Sequence, residues 1–464
     1  MEHNKDYLIS ETGRQDIHHH LHSQGNPLHL QNEGPLIVTS GEGPWIIDES
    51  GNRYLDGSAG LWCAALGFKN DRLAVAASKA YLSLGCYHTF GNKTPAATAK
   101  LASRLAGIVP ISDAHIHFSS SGSEGIETMV KLTWLYHKSR GNSGKRKIIA
   151  RNRAFHGSTI FAASLSGLPH MHREFGLPLP GILHASCPDI YRGLLNGESE
   201  AEYAKRLANE LEQMILDDGP ENIGAFIAEP INAGGGVIVP PAGYFEQIHN
   251  VLKRYDILLL ADEIVCGFGR TGEWFGSQTV NMKPDMMVMA KGLSAGHFPI
   301  SATVISPRIH ESIASINKDG TNFGHGFTNS GHPVGSAIAL EALDIYEEMD
   351  VPNYASHIGN HLRDVLIEGT RNSGLVGDIR GAGMMIGVEL VADKSTRAPF
   401  SADKQVGKQF EQFALKQGLI IRSQGGDTLA FSPPLNIDEP TAEEMAMRFC
   451  MALKALETSL TANV

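Results

Sequence analysis

Ile257-Leu-Leu-Leu-Ala-Asp262-Glu263 is an apolar run stopped by a carboxylate, and downstream Met287-Val-Met-Ala-Lys-Gly-Leu293 is another, closed by a lysine and a glycine. Neither run alternates apolar with polar residues. Both therefore read as strands buried on two faces, the pattern of a parallel sheet covered by helices. Such sheets bind ligands beyond the carboxyl ends of their strands, where Asp262 and Lys291 fall.

Outward from these runs, helical patterns at residues 95–105 and 201–216 alternate with apolar runs at 147–150, 225–228, 257–261 and 286–290. The alternation predicts an α/β domain with a mostly parallel sheet. Short strands at 36–40 and 45–48, broken by the turn residues 41–44, predict a small antiparallel lobe at the start of the chain. From His332 onward, a helical stretch at 334–349, strands at 384–390 and 419–422, and a closing helix at 440–459 predict a second lobe. The expected division is residues 1–70 as the N-terminal part of a small domain, 71–331 as the large domain, and 332–464 as the C-terminal small domain.

The 464 residues are 42% hydrophobic and 19% charged, enough for a large core. A formal net charge of -11 without basic runs argues against nucleic acid and acidic membranes as partners. Five scattered cysteines, at 63, 86, 187, 266 and 450, form no CxxC pair, which argues against a disulfide framework and a zinc site. No apolar stretch is long enough to span a bilayer, and the first residues lack a secretory pattern, so a cytoplasmic location is expected.

Asp262, at the end of a buried strand, can pair with a pyridine nitrogen and keep that ring protonated and electron-withdrawing. Taken alone it reads equally well as a helix cap or a solvated turn acid. Lys291 sits among Ala290, Gly292 and Leu293, where desolvation frees the neutral amine needed for a Schiff base. A solvated surface lysine is the plain alternative. Ser119-Ser-Ser-Gly-Ser-Glu-Gly125 precedes a helical pattern at 126–137 and forms an anion cradle, with Gly122 and Ser123 as contacts, unless it is only a cap. Ala154-Phe-His-Gly157 follows the run 147–150 and places Phe155 to stack on a ring or to fill core. Acid, amine, anion cradle and aromatic together match one cofactor, pyridoxal 5'-phosphate (PLP).

Two motifs compete. Gly292-Leu-Ser294-Ala-Gly296 fits the G-x-S-x-G elbow of serine hydrolases, with Ser294 as nucleophile. That elbow needs a following helix, whereas Pro299 and the β-branched run behind it predict a strand. Gly381-Ala-Gly-Met-Met-Ile-Gly387 mimics a dinucleotide loop, but its glycines precede a strand instead of opening a helix.

The order of Ser121-Gly-Ser-Glu124, Phe155-His-Gly-Ser-Thr159, Ala228-Glu-Pro-Ile231, Ala261-Asp-Glu-Ile264 with Gly267-Phe-Gly-Arg-Thr-Gly272, Ala290-Lys-Gly-Leu293 and His325-Gly-Phe-Thr-Asn-Ser-Gly-His-Pro333 resembles the class III PLP-dependent aminotransferases over nearly the whole chain. Leu61-Trp-Cys63, Gly272-Glu-Trp-Phe-Gly276 and Ile420-Ile-Arg422 look most like the omega-amino acid or amine:pyruvate transaminases. The resemblance implies PLP fold type I: a large domain on a seven-stranded type of sheet, plus a smaller α+β domain built from both chain ends. It further implies that Lys291 forms the Schiff base, Asp262 pairs with the ring nitrogen, Ile264 packs under the ring and Phe155 over it, and Gly122 and Ser123 bind the phosphate. His156 and Glu229 would line the same site, and Trp62 the substrate pocket. Thr328 would reach the phosphate of a neighbouring subunit, which implies a homodimer, or a dimer of dimers, with shared sites. Arg422 resembles a mobile clamp for a substrate carboxylate, the alternative being a surface arginine at a strand end.

Phe155 stands where many relatives carry tyrosine, Ser120 and Asn329 replace a more usual asparagine and aromatic, and Gln24 falls near an aromatic position at the pocket mouth. The family match makes the histidines His18 to His22 structural, so no metal is assigned. The expected activity is ping-pong transfer of an amino group from an omega-amino acid or primary amine to pyruvate. A 2-oxoglutarate-using aminotransferase, an aminomutase and, at a distance, a hydrolase using Ser294 are the alternatives.

Overall fold

The computed structural model describes residues 9–318 and 320–462. Its centre is a seven-stranded sheet in the order His115–Ser119, Ser301–Ile305, Met286–Met289, Leu258–Asp262, Ile223–Ala228, Lys147–Arg151, Ile182–Ala185. Ser301–Ile305 runs antiparallel to both neighbours, and every other pairing is parallel. All residues of Ile223–Ala228, Leu258–Asp262 and Met286–Met289 are buried, as their unbroken apolar runs predict.

Helices cover both faces. On one, Ile126, Met129 and Val130 of helix Gly122–Ser139 pack on Val288 and Leu260; on the other, Phe226 and Leu259 meet Leu211 of helix Glu200–Asp218 and Ile248 of helix Tyr244–Arg254. Helix Gly122–Ser139 lies so close to the sheet that a Cβ on Gly125 would sit 2.4 Å from Val288 Cγ2. Only glycine permits that approach.

Two smaller sheets flank this body. Strands Val38–Glu42, Trp45–Asp48 and Arg53–Asp56 form an antiparallel meander, and Leu419–Ile420 joins it parallel to Arg53–Asp56, so both ends of the chain build one sheet. Val376–Ala382, Met385–Leu390, Thr428–Phe431 and Arg422–Gln424 form the other. The single strand predicted at 419–422 therefore divides at Ile421, one half pairing with each sheet. In the central sheet two strands escape the sequence pattern, His115–Ser119, which carries two histidines, and the short Ile182–Ala185 at the edge; in the smaller sheets Arg53–Asp56, Val376–Ala382 and Thr428–Phe431 escape it too. Helix Pro333–Glu348 lies against helices Asp71–Leu84 and Ala96–Ile108, with ion pairs Arg72–Glu341 and Arg104–Asp344 across the contact. Among the described residues, no helix is long and apolar enough to cross a membrane.

Candidate active site

Strands Leu258–Asp262 and Met286–Met289 are adjacent and parallel, with Asp262 opposite Val288 and the amide of Glu263 donating to the Val288 carbonyl at 2.8 Å. Asp262 and Lys291 thus leave the sheet at the same edge. Lys291 follows the strand through Ala290 and adopts a left-handed backbone (φ 39°). That conformation costs a non-glycine residue on the order of 1–3 kcal/mol and is typically kept where function demands it. The loop is braced from behind by the Tyr346 hydroxyl, which donates to the Gly292 carbonyl at 2.7 Å. Burial brings the Lys291 amine down to about 8; nearby Cys63 and Asp262 pull it up, and the Arg422 guanidinium pushes it further down.

Asp262 is 2% exposed, which removes the solvated-turn alternative. Its Oδ1 accepts from the Ile264 amide at 3.1 Å, and its Oδ2 lies 2.8 Å from His156 Nδ1. Behind His156 stands a second acid: Glu229 Oε2 is 3.9 Å from His156 Nε2 and accepts from Arg151 Nη2 at 3.1 Å, while Glu229 Oε1 accepts from the Phe155 amide at 2.9 Å. Arg151 is completely buried. The array links Asp262, His156, Glu229 and Arg151 in one buried polar chain, in which each acid has a donor.

The expected anion cradle is a true helix start. Helix Gly122–Ser139 is capped by Ser121, whose hydroxyl accepts from the Glu124 amide at 3.2 Å, and its first amides have no intrahelical partners. A Cβ on Gly122 would lie 2.5 Å from Ile264 Cδ1, so the helix start, Ile264 and Asp262 are close together. Ser123 Oγ accepts from the Ser158 amide at 3.1 Å, which ties the cradle to the segment holding Phe155 and His156. Phe155 is half-buried, as a side chain facing a crevice would be. A carboxylate for a ring nitrogen, a helix start for a phosphate and a desolvated amine for an aldehyde fit PLP.

Trp62 is buried on a turn next to the loop that begins at Lys291. Arg422 is half-buried and close enough to Lys291 to affect its charge, and its guanidinium makes no hydrogen bond or ion pair within the described residues. Thr328 and Asn329 stand apart on an exposed loop, where a Cβ on neighbouring Gly326 would lie 3.1 Å from the Phe90 ring. Gln24 is exposed; in the histidine run, His20 and His22 reach Asp16 at 2.8 and 2.6 Å and pin the end of helix Glu11–His19.

Ser294 does not resemble a nucleophile. It is buried, its hydroxyl donates to the Phe298 carbonyl at 2.6 Å, and the strand Ser301–Ile305 follows instead of a helix. The glycines of 381–387 lie in the hairpin of Val376–Ala382 and Met385–Leu390, not at a helix start. Motif reading missed Arg151, Glu263 and Asp56. Glu263 is fully buried, accepts from the Gly276 and Ser277 amides, and is pushed up to about 7 by burial.

The chain matches the class III aminotransferase family over residues 29–453. It is 44% identical to gamma-aminobutyrate transaminase 1, mitochondrial, of Oryza sativa subsp. indica, over 91% of this chain and 82% of that protein. It is 42% identical to vanillin aminotransferase of Capsicum frutescens, over 91% of this chain and 92% of that one. The omega transaminase of Pseudomonas jessenii, solved in complex with PMP, superposes with a TM-score of 0.94 at 44% identity, covering 97% of this chain and 99% of that chain.

Proposed function

We propose a specific reaction for this chain, which belongs to the class III aminotransferases and so is a PLP-dependent enzyme acting on amino and keto substrates. The reaction is transfer of an amino group from an omega-amino acid or primary amine to pyruvate, in two half-reactions at one site. Bound PLP supplies an aldehyde that takes up the amino group and a ring that delocalises the electrons released at the donor carbon.

Lys291 is the acid and base. Its amine, lowered to about 8, is neutral in a large fraction near that pH and can take the proton from the donor carbon and return it on the cofactor side. Asp262, held by the Ile264 amide and His156, is the carboxyl that would pair with the ring nitrogen. The first amides of helix Gly122–Ser139, at Gly122 and Ser123, receive the phosphate, and Phe155 and Ile264 clasp the ring. Glu229 fixes Phe155 by its amide. Trp62 bounds the substrate side.

The observation that carries the acceptor is Arg422: a half-buried guanidinium with no hydrogen bond or ion pair among the described residues, close enough to Lys291 and to Asp56 to act on the charge of each. A carboxylate seated there would gain a charge-assisted, bidentate hydrogen bond. One such guanidinium can seat the single carboxylate that an acceptor such as pyruvate carries.

A homodimer is part of the same proposal. Val75, Tyr81, Leu82, Leu84, Tyr87 and Phe90 are exposed on and after helix Asp71–Leu84, beside a cavity of about 770 Å³ formed with helices Ala96–Ile108 and Pro333–Glu348. A second copy covering this apolar surface would also meet the Thr328 loop, which adjoins Phe90. The pairing of Leu419–Ile420 with Arg53–Asp56 supports one small domain made from residues 1–70 and 332–464 around a large domain at 71–331.

The test is alanine formation from pyruvate by the holoenzyme with a panel of amine donors. Lys291→Ala should abolish turnover while still binding PLP noncovalently, and retained turnover would reject the assignment. Faster consumption of 2-oxoglutarate than of pyruvate would overturn the acceptor. An isomerised amine without a keto product would indicate an aminomutase.

A further inference from the structure

Asp56 closes the strand Arg53–Asp56 at 3% exposure and forms no ion pair among the described residues. The Arg422 guanidinium acts on it only at a distance, and a buried acid without an ion pair is costly unless its oxygens accept hydrogen bonds. Oδ1 accepts from the Ser58 amide at 2.7 Å and Oδ2 from the Gly60 amide at 3.0 Å. The turn they grip is strained: Ala59, Gly60 and Trp62 all lie in the left-handed region, at φ 46°, 64° and 63°. Two of these are not glycine, so external bonds must hold the conformation. Within the turn, the Trp62 amide donates to the Ser58 carbonyl at 2.9 Å, and the Cys63 and Ala64 amides donate to the Ala59 carbonyl at 3.1 and 3.0 Å.

This turn forms one side of the space at Lys291. A Cβ on Gly296, at the end of the loop that Lys291 begins, would lie 2.8 Å from the Cys63 carbonyl oxygen. Trp62 is anchored in a cluster with Ile231, Ala233, Val237, Cys266 and Met385. The far side is tied down too, since the Gly57 amide donates to the Ile420 carbonyl at 2.9 Å, two residues before Arg422.

We infer that Asp56 is a positioning residue that sets donor-size selectivity: by gripping the Ser58 and Gly60 amides it folds the turn that holds Trp62 as a fixed wall beside Lys291. Burial moves this carboxyl up to about 6, and the Ser58 and Gly60 amides and the Arg422 guanidinium pull against that shift. The inference rests on the proposed amine-donor reaction.

The test compares Asp56→Ala, Asp56→Asn, Trp62→Ala and the double variant Asp56→Ala/Trp62→Ala as holoenzymes, with 1-phenylethylamine as large donor and isopropylamine as small donor. Asp56→Ala should raise KM for the large donor about tenfold while KM for the small donor and both kcat values move less than about threefold; Asp56→Asn, which keeps one acceptor, should fall between. In the Trp62→Ala background, Asp56→Ala should leave the selectivity ratio unchanged. Equal losses for both donors, or a full selectivity change without Trp62, would overturn the inference. A second readout needs no turnover: acrylamide quenching of the fluorescence that Trp62→Phe removes should increase in Asp56→Asn apoprotein, and unaltered quenching counts against Asp56. If the parent enzyme forms alanine from neither these amines nor any omega-amino acid, the proposed reaction fails, and the quenching result still decides the role of Asp56.

Discussion

Arg151 is fully buried and gives its Nη2 to the Glu229 carbonyl and carboxylate. Arg151→Met would leave Glu229 buried without its cation, a change that costs about 3–5 kcal/mol. A lower Tm with weaker PLP retention is expected, because Glu229 also holds the Phe155 amide; a Tm within error of the parent would refute the pairing. Asp262→Asn keeps the shape but removes the charge proposed at the ring nitrogen, and kcat should fall by about 10²–10³, the size typical of losing one preorganised electrostatic contact. Full turnover in that variant would remove Asp262 from the mechanism. The lowered Lys291 amine gives a pH signature in the apoprotein. Only the neutral amine reacts with an aldehyde, so the rate of reconstitution with PLP should rise with pH and level off above about 8. A rate still climbing through pH 10 would show an ordinary, solvated lysine.

At the scale of elements, the start of helix Gly122–Ser139 does two jobs, closing onto Ile264 and presenting its amides to an anion. Gly122→Ala places a methyl 2.5 Å from Ile264 Cδ1 and should weaken PLP binding about tenfold, measured by equilibrium titration of the apoprotein, with less effect on its Tm. The same elements show what a chain reveals before it is folded. Unbroken apolar runs announced Leu258–Asp262 and Met286–Met289, because a strand buried on both faces leaves no other pattern. His115–Ser119 gave no such signal, since its histidines find their partners far along the chain, His115 stacking on His310 and His117 on His325. The division at Ile421 depends on two partner strands, Arg53–Asp56 and Thr428–Phe431, which no local pattern at 419–422 encodes. Arg151 acquires meaning only when Lys147–Arg151 lies beside Ile223–Ala228 and so meets Glu229. Asp56, an acid ending a short strand, looks like any turn residue until its two amide partners are seen.

For the whole molecule, histidines partly withdrawn from water govern the acid side of stability. Burial lowers His117 and His325 to about 4, and pushes His137, His184, His310 and His332 down as well. Between those values and the ordinary 6.5 the unfolded chain binds more protons than the folded one, so stability is lost as pH falls through that window. Asp56 and Glu263, raised to about 6 and 7, act in the opposite sense but are fewer. The Tm of the apoprotein should therefore drop between pH 6.5 and pH 4.5, and a Tm that rises on acidification would contradict the desolvation of these rings. The proposed assembly makes the stronger claim. If Thr328 serves the site of a second copy, Thr328→Ala and Lys291→Ala chains are each defective for a different reason and can repair one another. Mixed under conditions that exchange subunits, half of the dimers are heterodimers, and each has one intact site, with Lys291 from one chain and Thr328 from the other. Activity at limiting PLP should recover to about a quarter of the parent value, the fraction that a two-fold symmetric dimer dictates. Scattering should give a particle of twice the 50.1 kDa chain mass. A mixture no more active than the mean of its two components would show that each chain completes its own site, and the Thr328 loop would then need another partner.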